Sequence, residues 1–465
     1  MATLPETTPY EAALEYLYGR INYERATIPA YRVQNFKLDR MRDLLARLGN
    51  PQRALKIIHI AGTKGKGSTS SMLAAILTAA GVRTGMYTSP HLERTEERLV
   101  VDGVICAPSE LVALVEAVRP AIDSIDAEAA LCTGPGSPTY FEMMTAMALV
   151  HFARQKVDAV VLEVGLGGRL DSTNVVSPEV CAITSISFDH MKQLGNTLGA
   201  IAGEKAGIIK PQVPVVTGVG EAEPLAVIES VAERQNARLY RVGRDFSYTF
   251  TPSVEADPLD KLPRGRLEYR GAIEGAETCH KDLSLGLIGE HQGANAAVAI
   301  ALVERLRERG WKISDEAIRA GLKSVRCPAR IEVLRTSPTV VIDTAHNPAS
   351  IAALLKVLTA ARGFKRRHLV FACSRDKEPA GMLEQLWPHF EHVVLTRFLN
   401  NPRSLSPEEL AGLAPQGRSW PRVDTCENPL AAWRMVQGAA QRDDLICVTG
   451  SFFLAAELRS VILAS

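Results

Sequence analysis

What this chain of 465 residues lacks narrows its class before any motif is read. It has eight cysteines, at 106, 132, 181, 279, 327, 373, 426 and 447, and no two of them form a C-x-x-C pair. Several sit inside apolar runs, so free thiols in a reducing cytosol are expected in place of a disulfide frame or a zinc site. An excess of one charge is also missing: 53 Lys and Arg face 52 Asp and Glu, a formal net charge of +1. Nucleic-acid binders carry a cationic footprint, so no nucleic-acid partner is expected, and any attraction for anions must be local. No apolar run approaches a membrane span, and no membrane partner is expected. The opening segment MATLPETTPYEAALEYLYG carries acids and has no apolar h-region. A secretory signal is therefore not expected, and the expected location is cytoplasmic. Internal repeats and low-complexity tracts are absent too. The length exceeds what one core usually holds, which predicts two or three domains.

What is present begins with KIIHIAGTKGKGST at residues 56–69. Residues 56–60 have the β-branched content of a buried strand, and residues 68–80 have the spacing of a helix stopped by Gly81. Between them, Gly62, Gly65 and Gly67 let backbone N–H groups turn toward an anion with no Cβ in the way. Lys66 adds a point charge suited to β/γ-phosphates, and the helix N-terminus adds partial positive charge. A hydroxyl at Ser68 or Thr69 would reach a phosphate-bound Mg²⁺. The spacing departs from G-x-x-x-x-G-K-[ST], because a further glycine separates Lys66 from Ser68. A turn that merely joined strand to helix would have no use for a lysine inside it. Nucleotide phosphate is the reading.

Strand-like and helix-like segments alternate from residue 56 to about 240, which implies a parallel sheet covered on both faces. Residues 239–287 change character and read as short antiparallel strands. A second alternating series starts near residue 330, with strand-like runs at 339–343, 368–373, 392–396 and 444–449. Its first strand ends in DTAHNP and not in G-x-G-x-x-G, so a dinucleotide is not indicated. The expected architecture is α/β throughout. Residues 1–325 form a P-loop, parallel-sheet ATPase domain that carries the small antiparallel portion. Residues 326–465 form a smaller Rossmann-like domain, and Cys327-Pro328 interrupts the pattern at the boundary.

Ligands of open α/β sheets bind at the carboxyl ends of the strands, which raises the value of polar residues there. Ser89, Glu163 and His190 each follow an apolar strand of the first domain. Hydroxyl, carboxylate and imidazole together suit a Mg²⁺ that keeps waters and nucleotide phosphates as its other ligands. Taken singly, a strand-end Glu reads equally as a helix cap and a lone His as a surface group. Lys205, in IAGEKAGIIK, reads in two ways. One is a snorkelling lysine paired with Glu204. The other is a buried amine of depressed pKa, able to add CO₂ and become an anionic carbamate. In the second domain Asp343 and His346 lie at a strand end, with Arg330 just past the boundary. Asp343 suits ribose or adenine and Arg330 suits phosphate, while Asn295, in GEHQGANAAVA, suits an adenine edge. Each is as readily a local structural contact. An Arg and an Asp joining across the boundary would close the site only over bound nucleotide.

The blocks NFKLDRMRDLLARLGNPQ, HIAGTKGKGST, YTSPHLERTEER, LEVGLGGRLDSTN, SISFDHMKQLGNTLGAIAGEKAGIIKP, GEHQGANAAVA, CPARIE, VIDTAHNP and VTGSFFLAAELR run in order along the chain. Together they resemble the folylpolyglutamate synthase/dihydrofolate synthase branch of the Mur ligase family. The resemblance implies a Mur ligase architecture and an ATP-dependent ligase. Such an enzyme would join a dihydropteroate or reduced-folate carboxylate to L-glutamate through an acyl phosphate. It places ATP phosphates on Lys64, Gly65, Lys66 and Gly67, with Ser68 at the helix start, and further nucleotide contacts on Asn295, Arg330 and Asp343. It implies Mg²⁺ ligands at Ser89, Glu163 and His190, a carbamylated lysine at Lys205, and two metal ions in all. Pterin contacts fall on Thr139, Tyr140 and Phe141 and on Leu170, Asp171 and Ser172, with the two rings suited to stacking. Lys66, Lys205 and His346 are the expected catalytic groups, His346 near the second metal or the incoming glutamate. A complete two-domain site makes a monomer the expected state.

Two departures stand out. Lys64 replaces the asparagine of the usual GTNGKGS, which adds a cation beside the phosphates. ACSRDKEP keeps Asp376-Lys377, but Cys373-Ser374-Arg375 has no functional reading. Three rivals remain: a ligase acting on UDP-muramyl peptides, an ATP-hydrolysing switch that shares only the P-loop, and a dead binding protein. A folylpolyglutamate synthase without dihydrofolate synthase activity is the nearer alternative.

Overall fold

The computed structural model describes residues 7–24, 38–131, 136–256, 261–415 and 421–465, the side chains of 253–256 excepted. Cys132 and residues 35–37 of the first resembling block lie outside them. The chain divides into two compact units. The first comprises Met1–Tyr248, Tyr269–Lys281 and Ala294–Ser324, the second Thr249–Glu268, Asp282–Gly293 and Val325–Ser465.

The strands of the first unit are β1 (Ile57–Ala61), β2 (Thr84–Tyr87), β3 (Leu99–Val101), β4 (Val104–Ile105), β5 (Ala159–Glu163), β6 (Val180–Ile183), β7 (Val215–Thr217) and β8 (Leu239–Arg241). They form one sheet in the order β4-β3-β2-β5-β1-β6-β7-β8. The six from β2 to β8 run parallel, and β3 and β4 add an antiparallel edge. Every residue of β1, β5, β6 and β7 is buried. That is why these strands read as unbroken apolar runs, since a parallel strand must hide both faces. One core packs Leu17, Leu44, Val115 and Met147 from four helices around Ile57 and Leu162. A second packs Ile201, Ala202, Ile228 and Ala232 from two helices around Cys181 and Val215. Register decides what shares an edge: Ile60 pairs with Glu163, and Ala61 with Ile183.

Residues 239–287 contain β8 and three long strands, β9 (Ser247–Ala256), β10 (Pro263–Ile273) and β11 (Ala276–Ser284), in a sheet ordered β11-β10-β9. Of this portion, residues 249–268 and 282–293 cluster with the second unit.

The second unit carries β12 (Glu332–Thr336), β13 (Thr339–Ile342), β14 (Arg367–Phe371), β15 (His392–Thr396), β16 (Arg422–Cys426) and β17 (Leu445–Thr449). Their order is β12-β13-β17-β14-β15-β16, parallel except for β12. A row of polar side chains, buried except for the half-buried Asp424, crosses these strands. His368 Nε2 lies 3.2 Å from Asp444 Oδ2, His368 Nδ1 lies 3.3 Å from His392 Nδ1, and His392 Nε2 lies 2.8 Å from Asp424 Oδ2. Cys106, Cys181, Cys373 and Cys447 are buried thiols. Among the described residues no helix is long and apolar enough to cross a membrane.

The helix after the glycine-rich loop, Lys66–Ala79, is held by an unusually close neighbour. A Cβ on Gly321, in the helix Asp315–Ser324, would stand 2.5 Å from both N and Cα of Ile76. The two backbones therefore meet with no side chain between them. Gly321→Ala must push the helices apart, and overpacking of this kind costs about 3 kcal/mol. Urea denaturation should show that loss as a lowered midpoint with an unchanged slope.

Candidate active site

The buried strand β1 ends at Ala61, and the chain turns through two residues of positive φ, Gly62 at +151° and Gly65 at +84°. A side chain at either position would be strained and would also collide. A Cβ on Gly62 would overlap Thr184 Oγ1, and one on Gly65 would overlap Asn295 Oδ1. Asn295, 230 positions away in sequence, thus lies against the loop. The Lys66 ammonium folds back and donates to the Gly62 carbonyl at 3.0 Å. Ser68 and Thr69 open the helix as buried residues, and Thr69 Oγ1 is a buried hydroxyl with no hydrogen-bond partner.

Parallel pairing sets the next groups at this same edge. The Glu163 carboxylate closes β5, and its Oε2 would lie 3.7 Å from a Cβ on Gly67. Glu163 is buried and accepts from the Ser89 N–H at 3.3 Å. Strand-end carboxylate, the Ser89 backbone and the phosphate loop are therefore brought together. His190 follows β6 and occupies the left-handed region at φ +49°, with its N–H donating to Asp189 Oδ1 at 3.0 Å. Lys64, expected to face the phosphates, instead donates to Asp189 Oδ2 at 2.8 Å. Among the described residues no three His, Cys, Asp or Glu side chains gather into a metal cluster. Any cation here would rest on mixed donors: the Glu163 carboxylate, the Ser89 and Thr69 hydroxyls and phosphate oxygens. That set fits a hard ion which keeps several waters, such as Mg²⁺.

Lys205 sits in the helix Leu198–Ala206 and is only 4% exposed. The reading as a snorkelling lysine paired with Glu204 is corrected. Glu204 accepts a forked pair from Arg169 at 2.9 and 3.1 Å, and the Lys205 stem does not reach solvent. Burial pushes the Lys205 ammonium down to about 7. Lys66 and Lys64 push the same way, while Asp189 and Asp171 oppose them. A substantial fraction is therefore neutral amine near neutral pH.

The six residues assigned to the pterin divide. Thr139 caps the helix Tyr140–Arg154: its N–H and hydroxyl both donate to Glu142 Oε2 at 2.8 Å, and Glu142 is held in turn by Arg40 Nε. Tyr140 is wholly buried and stacks on Tyr18 with ring centroids 5.7 Å apart. Adjacent helical residues point about 100° apart, which sends Tyr140 into the core and leaves Phe141 outside it. The Phe141 ring lies over Gly165, where a Cβ would overlap it. Ser172 Oγ meets Thr145 Oγ1 at 3.0 Å on the same helix, which brings 139–141 and 170–172 together. Asp171 is buried with its carboxylate accepting from the N–H groups of Leu166 and Thr173 at 2.8 and 3.0 Å. Burial raises its pKa, and these hydrogen bonds oppose the rise. Leu170 packs at the rim of the second core.

In the second unit Asp343 closes a buried strand, with its carboxylate accepting from the N–H of Ile331 at 2.8 Å and of Ala345 at 2.7 Å. Burial raises its pKa and Arg330 draws it back. Arg330 itself bonds to Thr344 Oγ1 and lies between Ala329 and Ile331, both at positive φ (53° and 48°). His346 Nδ1 is 2.8 Å from the Thr344 carbonyl, which accepts only, so Nδ1 carries a proton. Arg375 forms a forked pair with Glu409 at 2.5 and 2.6 Å, a structural reading for part of ACSRDKEP.

Sequence reasoning missed Thr184 and Ser185, which anchor the loop, and the buried Arg40–Glu142 pair under Thr139. Asp189 left a signal as the neighbour of His190. Arg40 left none, because its partner is 102 residues away.

Comparisons with known proteins agree with this geometry. Residues 60–303 match the Mur ligase middle domain, and residues 329–452 match the Mur ligase glutamate ligase domain. The chain is 35% identical over 455 residues to the dihydrofolate synthase/folylpolyglutamate synthase of Bacillus subtilis, covering 97% of this chain and 99% of that one. It is 37% identical over 452 residues to the protein of the same name from Mycobacterium tuberculosis, covering 91% and 89%. Among solved structures, M. tuberculosis folylpolyglutamate synthase complexed with ADP superposes with a TM-score of 0.85 at 34% identity over 98% of both chains. Escherichia coli FolC in complex with DHPP and ADP gives 0.80 at 31% over 99% of both. Loop, strand-end groups and full-length similarity all lead to one assignment: the chain belongs to the dihydrofolate synthase/folylpolyglutamate synthase branch of the Mur ligase family.

Proposed function

We propose that this ligase is bifunctional, joining L-glutamate both to dihydropteroate and to reduced folates at the expense of ATP, and that it acts as a cytoplasmic monomer. The observation that carries the reading is the meeting of the Glu163 carboxylate with the phosphate loop at Gly67, beside a buried amine at Lys205. The names of the full-length relatives support it, as do the complexes of related synthases with ADP and with DHPP.

The reaction opposes two anions, a substrate carboxylate and the γ-phosphate of ATP. The carboxylate oxygen attacks the γ-phosphorus and ADP leaves. The glutamate nitrogen then attacks the acyl carbon, phosphate leaves and the nitrogen loses a proton. The backbone of 64–67 and the Lys66 ammonium receive the phosphates, with Ser68 at the helix start, and Asn295, Arg330 and Asp343 are assigned to further nucleotide contacts. Ser89, Glu163, His190 and Lys205 as its carbamate would hold two Mg²⁺ ions. Bound there, Mg²⁺ supplies positive charge that offsets the repulsion between carboxylate and phosphates. The ammonium first loses one proton, and the neutral amine then joins CO₂ and releases a second, so a buried cation is exchanged for an anion. Thr139, Phe141, Leu170, Asp171 and Ser172 contact the pterin, with Tyr140 as the buried support of that wall. His346 is assigned a place near the second metal or the incoming glutamate.

Phosphate release should depend on ATP, Mg²⁺ and L-glutamate, and mass spectrometry should find one glutamate added to 7,8-dihydropteroate and to tetrahydrofolate alike. Addition to tetrahydrofolate alone would reduce the enzyme to a folylpolyglutamate synthase. Hydrolysis of ATP with neither acceptor consumed would favour the switch and sink the ligase reading.

Lys205 yields a separate test. Its amine fraction grows as pH rises through about 7, so carbamate occupancy should rise over the same range. A ¹³C carbamate resonance should appear with labelled bicarbonate at pH 8, weaken at pH 6 and be missing from Lys205→Arg. The loss of kcat in that variant should be about a hundredfold or more. Full activity of Lys205→Arg would discard the carbamate.

A further inference from the structure

We infer that Lys64 is a positioning residue that couples the phosphate loop to His190 through Asp189, and not one more cation for the phosphates. The inference rests on the reading of this edge as an ATP- and Mg²⁺-dependent site, and goes beyond it by giving the chain's departure from GTNGKGS a structural purpose.

The loop and the segment after β6 are stitched together residue by residue. The Thr63 N–H donates to the Ser185 carbonyl at 2.7 Å, and the Ser187 N–H donates to Thr63 Oγ1 at 3.1 Å. Thr184 Oγ1 and Ser185 Oγ both donate to the Lys64 carbonyl, at 2.6 and 3.0 Å. The Lys64 N–H donates to Ser185 Oγ at 3.1 Å. These bonds hold the Lys64 backbone and stop at residue 187. Beyond it, the Lys64 side chain carries the connection: its ammonium meets Asp189 Oδ2 at 2.8 Å, with the two side chains 32% and 11% exposed.

The two oxygens of Asp189 divide their work. Oδ2 takes the ammonium, and Oδ1 accepts the His190 N–H at 3.0 Å. His190 needs that hold, since its φ of +49° is disfavoured for any residue with a Cβ. The pairing therefore runs from the phosphate loop, through one carboxylate, to the backbone turn that aims the imidazole. Asparagine at position 64 would supply no charge to orient Asp189. An ammonium already neutralised at 2.8 Å adds little attraction for a phosphate, which argues against the simpler charge reading. Groups that orient a metal ligand typically alter metal affinity more than they alter anything else.

The test uses the full-length protein with Lys64→Met, Lys64→Arg, Asp189→Asn and the Met/Asn double variant. ADP affinity is measured by calorimetry in EDTA and again in saturating Mg²⁺, and the Mg²⁺ concentration for half-maximal phosphate release is measured alongside. Lys64→Met and Asp189→Asn should each raise that Mg²⁺ concentration about tenfold. In EDTA, ADP affinity should stay within about twofold, since charge on the phosphates is not what is lost. Lys64→Arg should restore most of the wild-type value. The double variant should be no worse than the worse single variant, as expected for two ends of one contact. The inference fails if Lys64→Met weakens ADP as much in EDTA as in Mg²⁺, or if the Mg²⁺ requirement does not move. A wild-type protein that binds no ADP and needs no Mg²⁺ would overturn the ligase reading itself, before any variant is compared.

Discussion

The first unit depends on the closeness with which the glycine-rich loop passes the end of the neighbouring strand. Gly62 leaves no room for a Cβ against Thr184, and Gly65 leaves none against Asn295. Backbone groups that approach so closely satisfy one another, and the loop needs few side chains of its own to keep its shape. The parallel register then does the rest. With Ile60 beside Glu163 and Ala61 beside Ile183, three consecutive strands end level with the loop. The close approach of Gly321 to Ile76 fixes the helix that leaves it. Chemistry at this edge is thus a by-product of backbone fit, and the charged groups are guests on a frame that is largely uncharged.

The same division explains which features were legible in the sequence. Buried parallel strands hide both faces, so β1, β5 and β6 were visible as apolar runs, and the polar residues after them stood out. Glycine and lysine in one turn carry their meaning locally, and the loop could be read without a partner. The small size of the second unit's repeating pattern and the DTAHNP strand end were readable for the same reason.

What could not be read were facts about direction and distance in space. Tyr140 and Phe141 are neighbours in sequence and were paired as stacking rings, yet helical geometry turns one into the core and the other onto Gly165. Glu204 was the obvious partner for Lys205, but it reaches Arg169, and the lysine is left enclosed. Lys64 reads as added charge for phosphates, and Asp189, which its ammonium meets, lies 125 residues on.

The row of aspartate, histidine, histidine and aspartate at the start of β14 and β15 has a consequence of another kind. Each imidazole meets a carboxylate through Nε2, and the two Nδ1 atoms lie 3.3 Å apart. The two rings also face each other, so the four side chains form one polar row across neighbouring strands. His368 and His392 stand directly opposite one another in the ladder. A slip of either strand by one residue would turn one imidazole to the other face of the sheet and strand the charges in an apolar interior. The row therefore works as a lock on strand alignment: hydrophobic side chains in β14 and β15 tolerate several pairings, and a line of directional polar contacts tolerates one.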